Sequence, residues 1–497
     1  MFSKLMQFIR QVIFRMVPYK SIEAAARIES PLSQEMVSAL NDWYDIYRDK
    51  APWLKKDTVK SLNLPAFICA EIARQITLEL KWDITGPVDA DGKMVDSPRA
   101  AYLKEEFAKL FKDLRGKLEQ GCGAGGMTIK PYPKGKHFYF DWTTAWEFYP
   151  VAFGDEGELL DVIFRDSFQS GKTYYTRLER HTKTDKGIEI THRAFKSTNP
   201  DYIGEEISLT EVPLWATLQP EATVTDTEGQ MFGWYRVAAA NSVDIKCPMG
   251  ASVFARAVNT IREADLQYSR LLWEFEGSEL AVDVDPTALR AKQVKTPDGR
   301  TQMEMPHLNE RLFRGVDLGA DETYKVFSPS IRDTSLINGL NQLLARIEDQ
   351  CGLARGTMCE ADTIAKTATE LRIVRQRSYA TVADNQAALE RCLRDVIRAM
   401  DKYATIYGMA PEGEYQVSFS WDDSILTDTE QQMNERLTLV AHGIMSKVRF
   451  REWYFSETHD QALAAIQEIQ EEQINALAIQ QTLLGPSGEE DNPPGGE

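Results

Sequence analysis

The spacing of apolar residues changes period several times along the chain, and the order of those changes restricts the fold more than any single motif does. Residues from about 21 to 120 carry a helical period. Pro65 suits a first helical turn, and Ile68, Ile72 and Ile76 follow it at four-residue spacing. Leu103, Phe107, Leu110, Phe111, Leu114 and Leu118 form a second stripe, which predicts one helix ending at Gly121. From about 127 to 240 the period shortens. Met127–Ile129, His137–Trp142, Leu159–Phe164, Thr173–Leu178 and Ile188–Phe195 are rich in β-branched and aromatic residues. Turn sequences such as Asp155-Glu156-Gly157 and Asp185-Lys186-Gly187 separate them. An antiparallel meander is expected there, which makes the fold class α+β.

The segment Asn241 to Gly250 reads as a boundary. Beyond it Val253, Phe254, Ala257, Val258, Ile261, Ala264, Tyr268, Leu271, Leu272 and Phe275 keep a helical period up to Gly277. Residues about 279–330 revert to short strands and loops around Pro286, Pro297-Asp298-Gly299 and Pro306. A helix resumes with Leu336, Leu340, Leu343, Leu344 and Ile347, and a polar stretch from Gly352 to Ala365 follows it. A long helix is then expected from about Thr367 to Tyr407, a short strand over Tyr415–Trp421, and helix again from Asp428 to Leu484. The final GPSGEEDNPPGGE has the composition of a disordered tail. A helix that leaves a body, makes a small tip and returns as a helix predicts a projecting stalk.

A length of 497 residues allows two to four domains. The net charge of −18 argues against a protein that grips nucleic acid over its whole surface, because phosphate binding needs clustered Lys and Arg. It is compatible with a wall past which DNA slides. Cys69, Cys122, Cys247, Cys351, Cys359 and Cys392 form no C-x-x-C pair and suggest a reducing compartment. No segment has the apolar length to cross a bilayer. At the N-terminus Phe2, Leu5, Ile9, Val12, Ile13 and Met16 share one helical face, with Lys4, Arg10 and Arg15 elsewhere. That pattern predicts a basic amphipathic helix that docks on protein rather than on a membrane.

Reactive constellations are weak. Gly121-Cys122-Gly123-Ala124-Gly125-Gly126 lacks the Gly-Lys-Ser/Thr ending of a phosphate loop and follows a helix, so it reads as a helix-to-strand turn. Asp422, Asp423 and Asp428 are weak metal candidates of the kind a nuclease uses, but Thr427 and Asp428 also stand where a helix needs its N-cap. His137, His181, His192, His307, His442 and His459 show no metal-binding spacing. No catalysis, cofactor or metal is expected. A metal-dependent nucleic-acid enzyme and a shell or scaffolding protein stand as the alternative readings.

Several motifs occur in an order that resembles the portal proteins of long-tailed phages, the family that includes the portal of a Bacillus siphovirus. They are Gly125-Gly126-Met127-Thr128-Ile129-Lys130-Pro131-Tyr132 with Phe148-Tyr149-Pro150-Val151, then Asn241 through Pro248-Met249-Gly250-Ala251-Ser252. Gly352-Leu353 through Lys366-Thr367-Ala368-Thr369-Glu370 follows, and Trp421-Asp422-Asp423-Ser424-Ile425 with His442-Gly443-Ile444-Met445-Ser446-Lys447 closes the series. The resemblance implies a ring, typically of twelve subunits, at one capsid vertex. Each subunit would have an N-terminal segment (1–20), a wing of helices and antiparallel β (21–249) and stem helices at 250–277 and 332–351. A small α/β clip (278–331), a tunnel loop (352–366), a long wing helix (367–411), a helical crown (412–484) and a tail (485–497) complete it. It further implies sequence-independent contact with double-stranded DNA through Arg355, Thr357, Glu360, Asp362 and Lys366, although each also suits a plain loop or subunit contact. Glu263, Arg270 and Glu348 would face the channel or a neighbour. Pro297, Asp298, Gly299 and Arg300 would lie at a docking tip. The implied partners are the terminase large subunit, a head–tail adaptor, and the major capsid and scaffolding proteins, with no membrane.

Overall fold

The computed structural model describes residues 11–12, 17–55, 58–87, 95–285, 292–295, 301–304, 312–316, 324–360, 368–421, 429–455, 459 and 461–471. The chain divides into two compact units, residues 1–421 and 422–497. A mixed α+β architecture is what the alternating periods require.

In the first unit, β1 (Gln11–Val12) precedes α1 (Tyr19–Ala26), α2 (Gln34–Tyr47) and α3 (Leu64–Thr77). Ser33 caps α2 by accepting from the Met36 amide, and Met36, Leu40, Trp43 and Ile46 are the face it buries. Pro65 opens α3, and Ile68, Ile72 and Ile76 lie in the core as their spacing predicts. The reading of an N-terminal amphipathic helix fails at Gln11–Val12, which pair antiparallel with Gln169 and Phe168. The open edge of a sheet satisfies their backbone groups there. Residues 1–10 and 13–16 lie outside the described residues.

A strand, β2 (Leu80–Thr85), interrupts the stretch read as all helical. Its burial is only partial, so it carries little periodic signal. The stripe from Leu103 to Leu118 is buried apart from the half-buried Phe111, but it spans two helices. These are α4 (Pro98–Ala108) and α5 (Leu114–Ala124), separated by a 3-10 turn at Lys109–Lys112. α5 also runs past Gly121, which with Gly123 packs where a Cβ would crowd Met127, Tyr47 and Trp146. Gly125, with φ 83°, ends it, so the glycine-rich stretch is the expected helix-to-strand turn.

The meander follows as β3 (Gly126–Lys134), β4 (His137–Thr144), β5 (Phe148–Phe153), β6 (Leu159–Ser170), β7 (Thr173–Thr184), β8 (Gly187–Ser197), β9 (Glu205–Ile207), β10 (Glu221–Val224) and β11 (Gly233–Arg236). The larger sheet has the order β1-β6-β7-β8-β10, with β5 on β6 and β9 on β8. β11-β3-β4 form a smaller sheet. On β7, Glu179 is buried among Lys130 (2.6 Å), His181 (2.8 Å), Arg177 (3.2 Å) and His192 (3.9 Å). Burial opposes its charge, yet the two cations and the imidazole bond hold its carboxyl well below the usual range.

The next elements are α6 (Val258–Gly277), β12 (Ala281–Val284), β13 (Lys292–Lys295), β14 (Thr301–Glu304), β15 (Phe313–Gly315), β16 (Tyr324–Phe327), α7 (Asp333–Cys351), α8 (Ala368–Ile406) and β17 (Gln416–Trp421). β12 lies between β15, to which it is parallel, and β16, to which it is antiparallel; β13 and β14 form a hairpin. Where a small α/β tip was expected, the described residues of 281–327 are strands and turns. β17, read from sequence as crown, pairs with β2 of the first unit in the register Phe419↔Trp82. Trp82 in turn stacks on Phe111 at 4.9 Å.

α8 lies across β11 and β3 and buries Leu389, Cys392, Leu393, Val396, Ile397 and Met400. A Cβ at Gly233 would stand 2.1 Å from the Cys392 carbonyl, so only glycine lets the helix approach β11 this closely. Arg99, buried on α4, reaches Thr405 Oγ1 (2.9 Å) and Asp401 (3.5 Å) at the far end of α8.

The second unit contains α9 (Thr429–Ala441) and α10 (Lys447–Phe455), and residues 461–471 are also helical. Within the region expected to be helical from 428, Gly443, whose φ is 72°, separates α9 from α10. The Arg436 guanidinium lies 4.2 Å from the Trp453 ring centre and ties α9 to α10.

Candidate functional site

α6 and α7 run antiparallel. Near the start of α7, Arg332 grips Glu274 through two guanidinium nitrogens (2.7 and 3.1 Å) and its own amide, and these bonds lower the Glu274 carboxyl below its ordinary range. One turn further, Gln267 donates to the Leu336 carbonyl at 3.2 Å. Asp265 anchors α6 to the segment before α3, accepting from Trp53 Nε1 and the Leu62 amide, each at 2.9 Å.

α7 ends at Gly352, with φ 70°, where any larger residue would also collide with Thr381 of α8. The chain then turns back over its own last helical turn. Glu348 is fully buried beneath it. Its carboxylate accepts from the amides of Gly356 (3.3 Å), Met358 and Cys359 (3.0 Å), and from Cys359 Sγ (3.1 Å). Burial first, and then the bond to Glu348, push the Cys359 thiol up. The expectation that Glu348 faces a channel or a neighbour is therefore corrected: its charge is spent on backbone donors. Glu263 and Arg270 are exposed on α6, beside Arg262 and Gln267 respectively.

Three of the five expected loop residues are placed on this scaffold. Arg355 is more than half exposed and pairs with Asp349 at 2.6 Å, which raises its own pKa. Thr357 donates to the Ala354 carbonyl, and Glu360 accepts from Asn341 Nδ2 at 3.2 Å. Asp362 and Lys366 lie outside the described residues, as do Pro297, Asp298, Gly299 and Arg300, and Asp422, Asp423 and Asp428. At the root of the loop a cleft of about 500 Å³ is lined by Arg256, Asp349, Gln350, Thr381, Asp384 and Asn385. The loop thus begins on a fixed base where α7, α8 and the entry to α6 meet.

A family model described as phage portal protein, SPP1 Gp6-like, matches residues 83–476, which include α6, α7, the loop and α8. The chain belongs to the SPP1 Gp6-like phage portal protein family. No curated protein matches it. Phage portal proteins are structural proteins of the virion, found at a capsid vertex and concerned with genome packaging, and that is the role of this chain. Among the described residues of this portal protein, no group of three or more His, Cys, Asp or Glu is placed to hold a metal ion. No helix among them is long and apolar enough to cross a membrane. Sequence reasoning did not identify Glu348 as the buried acid on which residues 356–359 close. The available signal was an acid four residues before a helix-ending glycine, with a second glycine, Gly356, four residues beyond it.

Proposed function

We propose that this portal protein forms a closed ring, of twelve subunits on the family's pattern, through which double-stranded DNA enters and leaves the capsid. The family match across both helices and the intervening loop is the observation that carries this reading. In it, residues 21–249 and 367–411 form the wing, 250–277 and 332–351 the stem, 278–331 the clip, 352–366 the tunnel loop and 412–484 the crown. The clip, with Pro297 to Arg300 at its tip, would receive the terminase large subunit during packaging and a head–tail adaptor afterwards. The body would contact the major capsid and scaffolding proteins.

The loop chemistry supports sequence-independent contact. An exposed ion pair such as Arg355–Asp349 contributes only about 0–1 kcal/mol, so the guanidinium exchanges readily between Asp349 and a passing phosphate. Phosphate contacts carry no direct base information. The buried anchor at Glu348 keeps the start of the loop in place while its exposed side chains trade partners. Packaging reactions driven by the cognate motor test this. Arg355→Ala with Lys366→Ala should lower the rate or final length of DNA packaged while rings still form; an unchanged rate and length would remove both residues from the DNA path. Deleting Pro297 to Arg300 should leave rings intact and weaken motor docking. If that deletion abolished ring formation, the clip assignment would be wrong.

A further inference from the structure

From Pro98 to His137 the sequence holds nine Lys and Arg against four acids, a local balance of +5 in a chain of −18, so the remaining residues carry −23. The segment folds into α4, the 3-10 turn, α5 and the β3–β4 hairpin, and several of its cations gather at one edge. The Tyr102 hydroxyl donates to the Lys136 carbonyl at 3.0 Å, which fixes the hairpin tip to α4. Lys109 Nζ stands 3.3 Å from His137 Nδ1, and both contact the buried Glu106 carboxylate. Lys112, Lys134 and Lys136 are exposed, and among the described residues no carboxylate lies within ion-pair distance of any of them. Gly135 at the tip has no atom within 4 Å of where a Cβ would be, so the tip projects into open space.

Beside these lysines, Tyr132 and Tyr139 are cross-strand partners with rings stacked at 5.8 Å, each nearly half exposed. Their faces are turned on one another. The pair therefore presents ring edges and hydroxyls, which suit a phosphate backbone, rather than an open platform for unstacked bases.

We propose that the β3–β4 hairpin, with the exposed Lys134 and Lys136 at its tip, binds the phosphate backbone of duplex DNA at a site separate from the tunnel loop. The proposal rests on the portal reading for the presence of DNA. It follows from charge complementarity: cations with no carboxylate partner among the described residues, on a hairpin whose tip is bonded to α4, attract phosphate, and the −23 carried by the rest of the chain discourages DNA elsewhere. Binding of this kind is independent of sequence and weakens steeply with salt.

A relaxed, covalently closed plasmid cannot thread a closed ring, so its binding to assembled rings reports surface contacts alone. Rings of the full chain should bind such circles at about 50 mM salt. Lys134→Glu with Lys136→Glu should weaken binding at least tenfold. It should also reduce the slope of log affinity against log salt by about 2, the contribution of two lost phosphate contacts. Lys134→Arg with Lys136→Arg should keep wild-type binding, and Lys134→Gln with Lys136→Gln should fall between, which guards against a folding defect in the charge-reversed protein. Rings that assemble but ignore the circle, or bind it equally with both lysines reversed, would overturn this site and leave the ring reading standing. Displacement of the circle by poly-glutamate at lower charge concentration than by competitor DNA would assign the patch to an acidic protein instead.

Discussion

Glu348 takes a carboxylate out of water and compensates it with three amides and a thiol, all from residues 356 to 359. Removing the acceptor leaves buried donors without partners, at about 1–3 kcal/mol. Glu348→Ala should therefore speed hydrogen exchange at the Met358 and Cys359 amides by about tenfold or more, with Glu348→Gln intermediate. Unchanged exchange would show that other contacts hold the loop. The Glu179 cluster makes a second prediction at this scale. Burial pushes His192 down to about 4 and also lowers His181, with Glu179 opposing and Lys130 and Arg177 reinforcing the shift. A histidine whose folded value is depressed contributes stability that is complete above its unfolded pKa of about 6.5 and is lost as pH falls from there toward the folded value. The free energy of unfolding should accordingly fall as pH drops from about 6.5 toward 4, with His192 contributing up to about 1.4 kcal/mol per pH unit. His192→Gln should flatten that dependence, and an equal slope in the variant would exclude His192 as its source.

Among the elements, the approach of α8 to β11 has the sharpest consequence. Gly233→Ala puts a methyl group against the Cys392 carbonyl and should destabilise the chain by about 1–3 kcal/mol, read as a lower thermal or denaturant midpoint. No change would mean that α8 shifts freely on the sheet. The elements that sequence reasoning located well are those whose periodicity records burial on one face: α3, α6, α7, α8 and the strands β6 to β8. β2 was illegible because its partner, β17, lies more than 300 residues away and its own pattern is only half-buried. The 3-10 turn between α4 and α5 left no trace, since a continuous apolar stripe is compatible with either one helix or two. The loop residues were named by resemblance alone, whereas the role of Glu348 depends on where amides about ten residues later fold back, which local pattern does not encode.

For the whole molecule, charge and topology favour the same conclusion. In the proposed function, an acidic chain with a local basic segment is compatible with a wall past which DNA slides, and the antiparallel α6 and α7, with the described strands β12 to β16 between them, would form the stem and clip. Cyclic rings use two different patches on each subunit. Exposed apolar residues near the end of α6 and the approach to α7, with Trp273 at 66% exposure and Leu280 at 55%, are available for such a contact. Trp273→Glu should accordingly weaken assembly while leaving the fold intact, as circular dichroism and particle mass together would report. The most direct test of the account is negative-stain electron microscopy of the purified protein, paired with light scattering. Closed rings with a central hole, and a mass that is a whole multiple of 56.4 kDa near twelve protomers, are the predicted result; closed shells or a uniform dimer would contradict it.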